Sequence, residues 1–489
     1  MEQHQATVAR ISENVASFHK KEKAFRIYHG STNSTRQISW SRDEVVDTSD
    51  LNRVLNVDTL NMVAKVEPNV PMDAFVQETL KFGVIPEVVM EFSGITVGGG
   101  FSGTSGESSS FKYGLFENTI HSIEIILANG DVVTASETEK SDLFYGAASA
   151  FGSLGVITLL EVKLVRAKAY VAMTYRPVFS ITEAVEETRK AAEDSTNDYV
   201  DGILFRSDFG VIMTGRLTDR TDAPVIRFTR PYDSWFYIHV ERLFRSRKAS
   251  TISPELIPVF DYFFRYDRGA FWTLKYAFQY FVTPFNRITR MVLDPFLRTR
   301  VAFKAFHAAG FGKEQIAQDC GLPASTVSEF IKYVDEEVCL YPLWLCPFSL
   351  SKRPEKSLNP SYPKEIVINV GVWGPGPKDH DSFITLNRSI EQKVNELGGL
   401  KCLYARAYYT EEEFWNIYDR KWYEELRAKY GAQTLPSVYE KTKEDLRTRD
   451  SSHSTWKSWL FAKFWDTWPI AGLYGVAKVI AGGEYLLTK

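Results

Sequence analysis

The sequence predicts an α+β protein of more than one domain, and three observations carry that expectation. A chain of 489 residues exceeds what one compact core accommodates. Up to about residue 168, helical and strand patterns of hydrophobicity are mixed, as an α+β fold requires. Beyond it the texture changes to alternating strands (YVAMTYRPV, DGILFRSDFGVIMTGRL), an aromatic and basic stretch over 226–310, and a second strand–helix block. The division that follows is 1–168 for a first domain, 169–450 for a second and 451–489 for a Trp-rich tail.

Residues 1–23 carry a polar helical pattern that does not read as a secretory signal. FRIYHG is a short strand that runs into the loop His29 to Arg36, and VVDTSDL, VLNVD and MVAKVEPNV are strand-like. Residues 71–83 predict a helix, with Pro71 in its first turn and Gly83 as its C-cap. After the glycine-rich stretch TVGGGFSGTSGESSSFKYG, the segment SIEIILANGDVVTAS predicts a hairpin turning at Asn129-Gly130. DLFYGAASAFGSLGVITLLEVKLV reads as helix, glycine turn and strand. LYPLWLCPFSL and EIVINVGVW predict strands, and 381–397 a helix.

Hydrophobic and charged fractions of 44% and 24% are those of a soluble globular protein, and a net charge of −3 gives no reason to expect a nucleic-acid partner. The aromatic fraction, 14%, suits a large apolar substrate, a well-filled core or a membrane-facing surface. Cys320, Cys339, Cys346 and Cys402 form no CxxC pair, so neither a metal site nor a disulfide framework is expected, and a reducing compartment fits. No uncharged apolar run reaches the roughly 18 residues that a spanning helix needs.

Two clusters of glycines and hydroxyls have the composition of a pyrophosphate cradle. Such a cradle needs converging backbone N–H groups, positions free of Cβ, and short hydroxyl donors. The first offers Gly30 with Ser31, Thr32, Ser34 and Thr35. The second offers Gly98, Gly99, Gly100, Gly103 and Gly106 with Thr96, Ser102, Thr104, Ser105 and Ser108. Gly98-x-Gly100-x-x-Gly103 matches the dinucleotide fingerprint only formally: that motif opens an amphipathic helix, and SGESSSFKYG has no helical period. The alternative for either cluster alone is a flexible surface loop.

The order of the surrounding segments resembles a known family. The run from about 45 to 168 is similar to the FAD-binding domain shared by p-cresol methylhydroxylase and vanillyl-alcohol oxidase, and within that superfamily to the sterol Δ24-reductases. VEPNVPM (66–72), TVGGGFSGTSGESSSFKYGLF (96–116), LANGDVV (127–133), SDLFYGA (141–147) and GSLGVITLLEVKLVRAKAYV (152–171) carry the likeness. YPLWLCPF (341–348) and LYARAYYTEEEFWNIYD (403–419) resemble the reductases specifically. The resemblance implies a two-part FAD-binding domain followed by an α+β substrate, or cap, domain.

It also implies roles. His29, Gly30, Ser31, Thr32, Asn33, Ser34 and Thr35 would wrap the FAD pyrophosphate. Thr96, Val97, Gly98, Gly99, Gly100, Phe101, Ser102, Gly103, Thr104, Ser105, Gly106, Glu107 and Ser108 would run along pyrophosphate and flavin, and Gly152, Gly155, Val156 and Ile157 would line the adenosine end. Members that tether FAD covalently have a histidine where this chain has Asn33, which implies dissociable FAD, and His29 then positions backbone. The implied reaction is reduction of a sterol's C24–C25 double bond, with NADPH as electron donor. An unactivated alkene needs a placed acid in a dry site, for which Tyr404, Tyr408 and Glu107 are the candidates.

Other readings stay open beside it: another oxidoreductase of the superfamily acting on an alcohol or lactone, or a flavin fold that binds a membrane or partner without turnover. GKEQIAQDCGLPASTVSEFI (312–331) has the look of a helix-turn-helix, but the chain is not basic and the segment lies inside the family match. The aromatic and basic stretch 226–310 is either a cap packed on the first domain or a surface that sits on anionic lipid. The tryptophans Trp456, Trp459, Trp465 and Trp468 favour the second. The family implies residence on the endoplasmic reticulum facing the cytosol. Its animal and plant members carry a spanning N-terminal segment ahead of the point where this chain starts, so peripheral contact through cap or tail is the expectation. Gly100, a third consecutive glycine, and Phe111, in place of a histidine, depart from the family, and Gly100 is expected to loosen the loop near the flavin.

Overall fold

The structure is a computed structural model. It describes residues 1–30, 36, 40–244, 254–350, 357–358, 365–444, 467–482 and 486–488. The loop residues Ser31 to Thr35 and the tail tryptophans Trp456, Trp459 and Trp465 lie outside the described residues.

The chain opens with helix α1 (Glu2–Lys20), whose His4, Val8, Ile11 and Val15 recur at helical spacing and are all buried. His4 lies 2.9 Å from Glu67 and 3.2 Å from Glu124, and these two carboxylates raise its pKa to about 9. The helix is therefore fixed to the first sheet by charge as well as by apolar area. Strands β1 (Arg26–Tyr28) and β2 (Val45–Asp47) pair in parallel.

The first large sheet contains β3 (Val54–Asp58), β4 (Val63–Val66), β5 (Val84–Pro86), β6 (Ile120–Ile126), β7 (Val132–Ser136) and β8 (Val156–Arg166). Its order is β3-β4-β8-β6-β7, with β5 also paired to the long β8. All these pairings are antiparallel. The hairpin β6–β7 has Ile126 opposite Val132, and Gly130 in the turn takes φ of +97°, as the Asn-Gly signal predicts. Helix α2 (Met72–Leu80) begins after Pro71, and Gly83 beyond it takes φ of +70°.

The second sheet has eight strands: β9 (Tyr170–Val178), β10 (Tyr199–Arg206), β11 (Phe209–Thr218), β12 (Glu255–Pro258), β13 (Gln315–Pro323), β14 (Leu343–Phe348), β15 (Val367–Pro375) and β16 (Leu400–Lys401). They lie in the order β12-β9-β11-β10-β14-β15-β13-β16 and are antiparallel throughout. With helices grouped apart from two antiparallel sheets, the class is α+β.

The segment 312–331 is not a helix-turn-helix. Residues 315–323 form β13, paired along its length with β15, and helix follows only at Val327–Tyr333. Strand pairing wins because both faces of 316–323 are covered, a burial that a surface helix could not give.

The stretch 226–310 folds into short helices, among them Phe236–Leu243, Lys275–Tyr280, Arg287–Val292 and Thr299–Ala309. Trp235, Tyr262, Tyr266 and Trp272 in it are almost fully buried and belong to the core shared with the first sheet. Most of its aromatic content is thus packing. The part that remains exposed is taken up below.

Candidate active site

The glycine-rich stretch departs from expectation. Val97–Gly103 is helical, capped by the Thr96 side chain, which accepts from the Gly99 N–H at 3.1 Å. Nearly two turns of helix sort its residues by face. Val97 and Phe101, four apart, are fully buried in the core. Gly98, Gly99, Ser102 and Gly103 face a cavity of about 640 Å³, a size typical of small-molecule and cofactor sites. A Cβ on Gly98 would stand 2.5 Å from Cβ of Pro68, so the helix approaches that loop only as glycine. Gly100 points the other way, where a Cβ would meet Met90 and Phe116, so the extra glycine serves core packing rather than a looser loop.

Thr96 and the run Thr104, Ser105, Gly106 and Glu107 continue the same wall, with Thr104 at φ of +62° turning the chain. Gly152, Gly155 and Ile157 line it farther along. A Cβ on Gly155 would lie 2.4 Å from the Ile126 carbonyl oxygen. Gly30, Val97, Gly100, Phe101, Ser108, Tyr408 and Val156 are not among the lining residues. Val156 is turned away by strand alternation, since its neighbour Ile157 faces in. Ser108 is buried and accepts from the Tyr262 hydroxyl at 3.1 Å. Tyr408 packs in the core of the second sheet, its N–H donating to Glu391 at 2.9 Å.

At one end the wall is cationic. Arg26, Arg36, Lys441 and Lys443 line it, with Glu440 and Glu444 as the acids among them. Arg36 donates to the carbonyls of Leu403, Tyr404 and Ala405 and lies 5.1 Å over the Phe151 ring. The Lys441 ammonium donates to the carbonyls of Phe151 and Gly152, each at 2.9 Å. Burial, with Arg26 and Arg427 nearby, pushes its pKa down to about 7. Burial pushes Arg36 down to about 10 and His29 down to about 4, and the His29 Nδ1 is buried without a hydrogen-bond partner. Cations held below their ordinary pKa in a cavity form a site for a polyanion.

The other end is flat-walled and acidic. Phe271, Trp344 and Trp373 lie against one another there, with Phe271 and Trp373 centroids 4.7 Å apart. Among them stand Glu91 and Glu107. The Glu91 N–H donates to Glu107 Oε1 at 3.4 Å, so the two residues are neighbours through backbone and side chain. Behind Glu91, buried Arg265 contacts Glu91 Oε1 and Asp201 Oδ2, both at 2.9 Å. Its guanidinium lies over Phe236, Tyr262 and Tyr266 at 4.1–5.2 Å. Tyr266 and Trp344 also donate to Asp201, at 2.8 and 3.2 Å.

Two carboxyls thus share one guanidinium, and Glu107 stands buried beside Glu91 with no cation among the described residues in contact, an arrangement that disfavours ionising all three. Burial raises Glu91 to about 8, Arg265 opposing and Asp201 adding to the shift. Burial, with Glu91 as its coupled neighbour, pushes Glu107 well above its ordinary value and so favours its protonated form.

Tyr404 reaches the same cavity, and its hydroxyl donates to Asp319 Oδ2. Asp319 also accepts from Asn369 at 2.7 Å and Trp373 at 3.1 Å. Burial and the neighbouring Asp319 push the phenol well above 10.

The sequence reading missed Glu91, Asp319, Arg26, Lys441, Phe271 and Trp373, whereas Trp344 lies in the 341–348 motif that it singles out as a strand near the flavin. Each missed residue stands alone without a motif, and only the tertiary fold brings them together. FAD fits what is present. The glycine face and the cations suit a diphosphate, and the aromatic slot suits a planar ring system.

Comparison with known proteins agrees with this geometry. A family model described as an FAD binding domain matches residues 5–136. Delta(24)-sterol reductase of Homo sapiens is 31% identical over 402 residues, covering 79% of this chain and 75% of that protein. The Delta(24)-sterol reductase of Pisum sativum is 30% identical over 444 residues, covering 82% and 77%. Cytokinin dehydrogenase 4 of Oryza sativa is 29% identical over 151 residues, covering 30% and 28%.

Proposed function

The chain belongs to the Delta(24)-sterol reductase family, and from that membership we propose that it reduces the C24–C25 double bond of a sterol side chain, using non-covalently held FAD and NADPH. That it is an FAD-dependent oxidoreductase follows from the family and the FAD binding domain. The sterol, the bond reduced and the nicotinamide donor are our reading. One observation supports it above the others: a single cavity joins a glycine-and-cation cradle to an aromatic slot lined by the buried carboxyls of Glu91 and Glu107.

Gly98, Gly99, Ser102, Gly103 and Thr104, with Lys441 and Arg36, would hold the diphosphate, and Phe271, Trp344 and Trp373 would flank the ring. The chemistry that FAD supplies when bound is two-electron transfer, from NADPH to one carbon of the alkene. The other carbon needs a proton, and we assign it to the Glu107 carboxyl. A carboxyl whose protonated form is favoured by burial is better suited to give up a proton than the Tyr404 phenol, whose hydroxyl donates to Asp319. Tyr404 and Trp373, tied to the same Asp319, keep the slot in shape. The aromatic wall excludes water, which favours the undissociated acid until substrate is bound. The family also supports residence at the endoplasmic reticulum membrane, facing the cytosol.

The test is anaerobic mixing of FAD-loaded protein with NADPH and then desmosterol, following flavin absorbance and sterol products. Bleaching by NADPH and reoxidation by the sterol are expected. Bleaching without reoxidation would refute the sterol assignment, and no bleaching would refute the NADPH link.

A further inference from the structure

Apolar surface on this molecule is unevenly distributed. Among the described residues, sixteen large hydrophobic side chains are exposed, and nine of them fall in two short stretches. The first is the 282–296 segment with helix α3 (Arg287–Val292), where Val282, Ile288, Met291, Val292 and Phe296 are exposed. The second leads into and forms helix α5 (Ile470–Ala481), where Trp468, Leu473, Tyr474 and Ile480 are exposed.

Helix α5 is inside out for a soluble protein. Its small residues Ala471, Gly472 and Gly475 face the protein and its large apolar ones face outward, with Leu473, Ala477 and Ile480 on one exposed stripe. The two stretches meet at the 280–282 turn. A Cβ on Gly472 would lie 2.4 Å from the Tyr280 ring, and Trp468 Nε1 donates to the Tyr280 carbonyl at 2.6 Å.

Charge follows the same pattern. Between 268 and 310 the sole carboxylate is Asp294, buried in ion pairs with Arg268 and Arg298. The segment 467–481 has no acidic residue, and Lys275, Arg287 and Lys478 are exposed in and beside the apolar patch. A patch this apolar, bordered by lysine, arginine, Trp468 and Tyr474, has the chemistry of a surface that rests in the headgroup region of an anionic bilayer.

The position of the patch relative to the cavity gives it a purpose. Helix α4 (Thr299–Ala309) lies between them. Ala302, Phe303 and Phe306 line the cavity, while Ala305 and Ala309 lie beneath Gly475 of α5. One helix separates the apolar surface from the catalytic space. No described helix is long and apolar enough to cross a membrane.

We propose that the outer faces of α3 and α5, with the 280–282 turn between them, dock on a bilayer containing anionic lipid, so that an apolar substrate passes beside α4 into the cavity without entering water. The docking stands on the surface alone. The delivery of substrate rests on the sterol reading above.

The experiment uses full-length FAD-loaded protein and vesicles of phosphatidylcholine with and without phosphatidylserine. Co-sedimentation with the phosphatidylserine vesicles, weakening with salt, is expected. The double variants Ile288→Glu/Val292→Glu and Leu473→Glu/Ile480→Glu are each expected to lower partition by at least about tenfold. Their flavin spectrum, melting temperature and turnover of detergent-dispersed sterol are expected to match the parent, while turnover of vesicle-borne sterol falls. Unchanged partition in both variants overturns the proposal. So does a change from dimer to monomer without loss of vesicle binding, which would assign the patch to a second copy of the chain. Lost partition with no sterol turnover by any form leaves the docking intact and refutes the substrate reading alone.

Discussion

Replacing Lys441 with methionine removes a charge from the cavity while keeping most of the side chain's length. In the folded protein this ammonium has two carbonyl partners, and burial together with Arg26 and Arg427 brings its pKa to about 7 from an ordinary 10.5. A bound diphosphate would supply the counter-charge and raise that pKa again. Binding FAD above pH 7 must therefore take up a proton, whereas below pH 7 the lysine is already charged. The dissociation constant for FAD is expected to be flat below pH 7 and to rise above it, by up to about tenfold per pH unit for one proton. A charge-assisted hydrogen bond contributes about 1.5–3 kcal/mol, so Lys441→Met is expected to weaken FAD binding by roughly 10- to 150-fold at pH 7 and to abolish the slope. Lys441→Arg keeps the charge and is expected to retain most of the affinity. Without FAD the same group works in the other direction. Between pH 7 and 10.5 the unfolded chain holds more protons than the folded one, so FAD-free protein gains stability as pH rises through that window. Fluorescence-quenching titrations of FAD from pH 6 to 9 on the three proteins measure the effect. A Lys441→Met protein that binds FAD within about threefold of the parent, with the same slope, would refute the assignment of this cation to the diphosphate.

Glu107→Gln is expected to lower sterol reduction by at least about 100-fold while NADPH still bleaches the flavin, as stopped-flow absorbance would record. Because burial raises the coupled Glu91 and Glu107 carboxyls, the pH profile of that step is expected to be flat through the ordinary carboxylate range and to fall only at higher pH. Arg265→Met leaves Asp201 and Glu91 without their shared cation and is expected to cost about 3–5 kcal/mol in denaturant titration. Gly98→Ala forces a Cβ against Pro68 and is expected to cost about 1–3 kcal/mol and to weaken FAD binding. His4, raised to about 9 by Glu67 and Glu124, stabilises the fold fully below pH 6.5, and melting temperature is expected to fall as pH passes through 9.

Elements whose signal is local were legible in the sequence. The helix 72–80, the hairpin at Gly130 and the strands at 343–348 and 367–375 are written in helical spacing, turn residues and short apolar runs. The helix at 97–103 was not, because consecutive glycines have poor intrinsic helicity, and Thr96 with the Pro68 and Met90 contacts overrides it. The helix-turn-helix look of 312–331, already set aside in the sequence for want of basic charge, gives way for a related reason. Its polar spacing suits a helix, but pairing with 367–375 decides the matter. In the site, the glycines were readable because they cluster with short hydroxyl residues, and Gly98, Gly152 and Gly155 stand where a side chain would clash or strain the backbone. Glu91, Asp319 and Lys441 were not, since a carboxylate or lysine acquires its character only from distant neighbours such as Arg265, Tyr404 and Phe151.

The cavity draws its walls from almost the whole length of the chain, from Arg26 to Glu444. This has a bearing on biosynthesis. While the ribosome has released only the glycine helix and the first sheet, the anionic end of a cofactor would meet half a binding site. The aromatic slot needs residues beyond 370, and Lys441 and Lys443 emerge later still. A nascent chain therefore has no closed compartment in which to retain a flavin until its synthesis is nearly finished. Loading with flavin then becomes a check on completeness, since chains cut short before residue 440 would lack Lys441 and Lys443 and are expected to hold flavin more weakly.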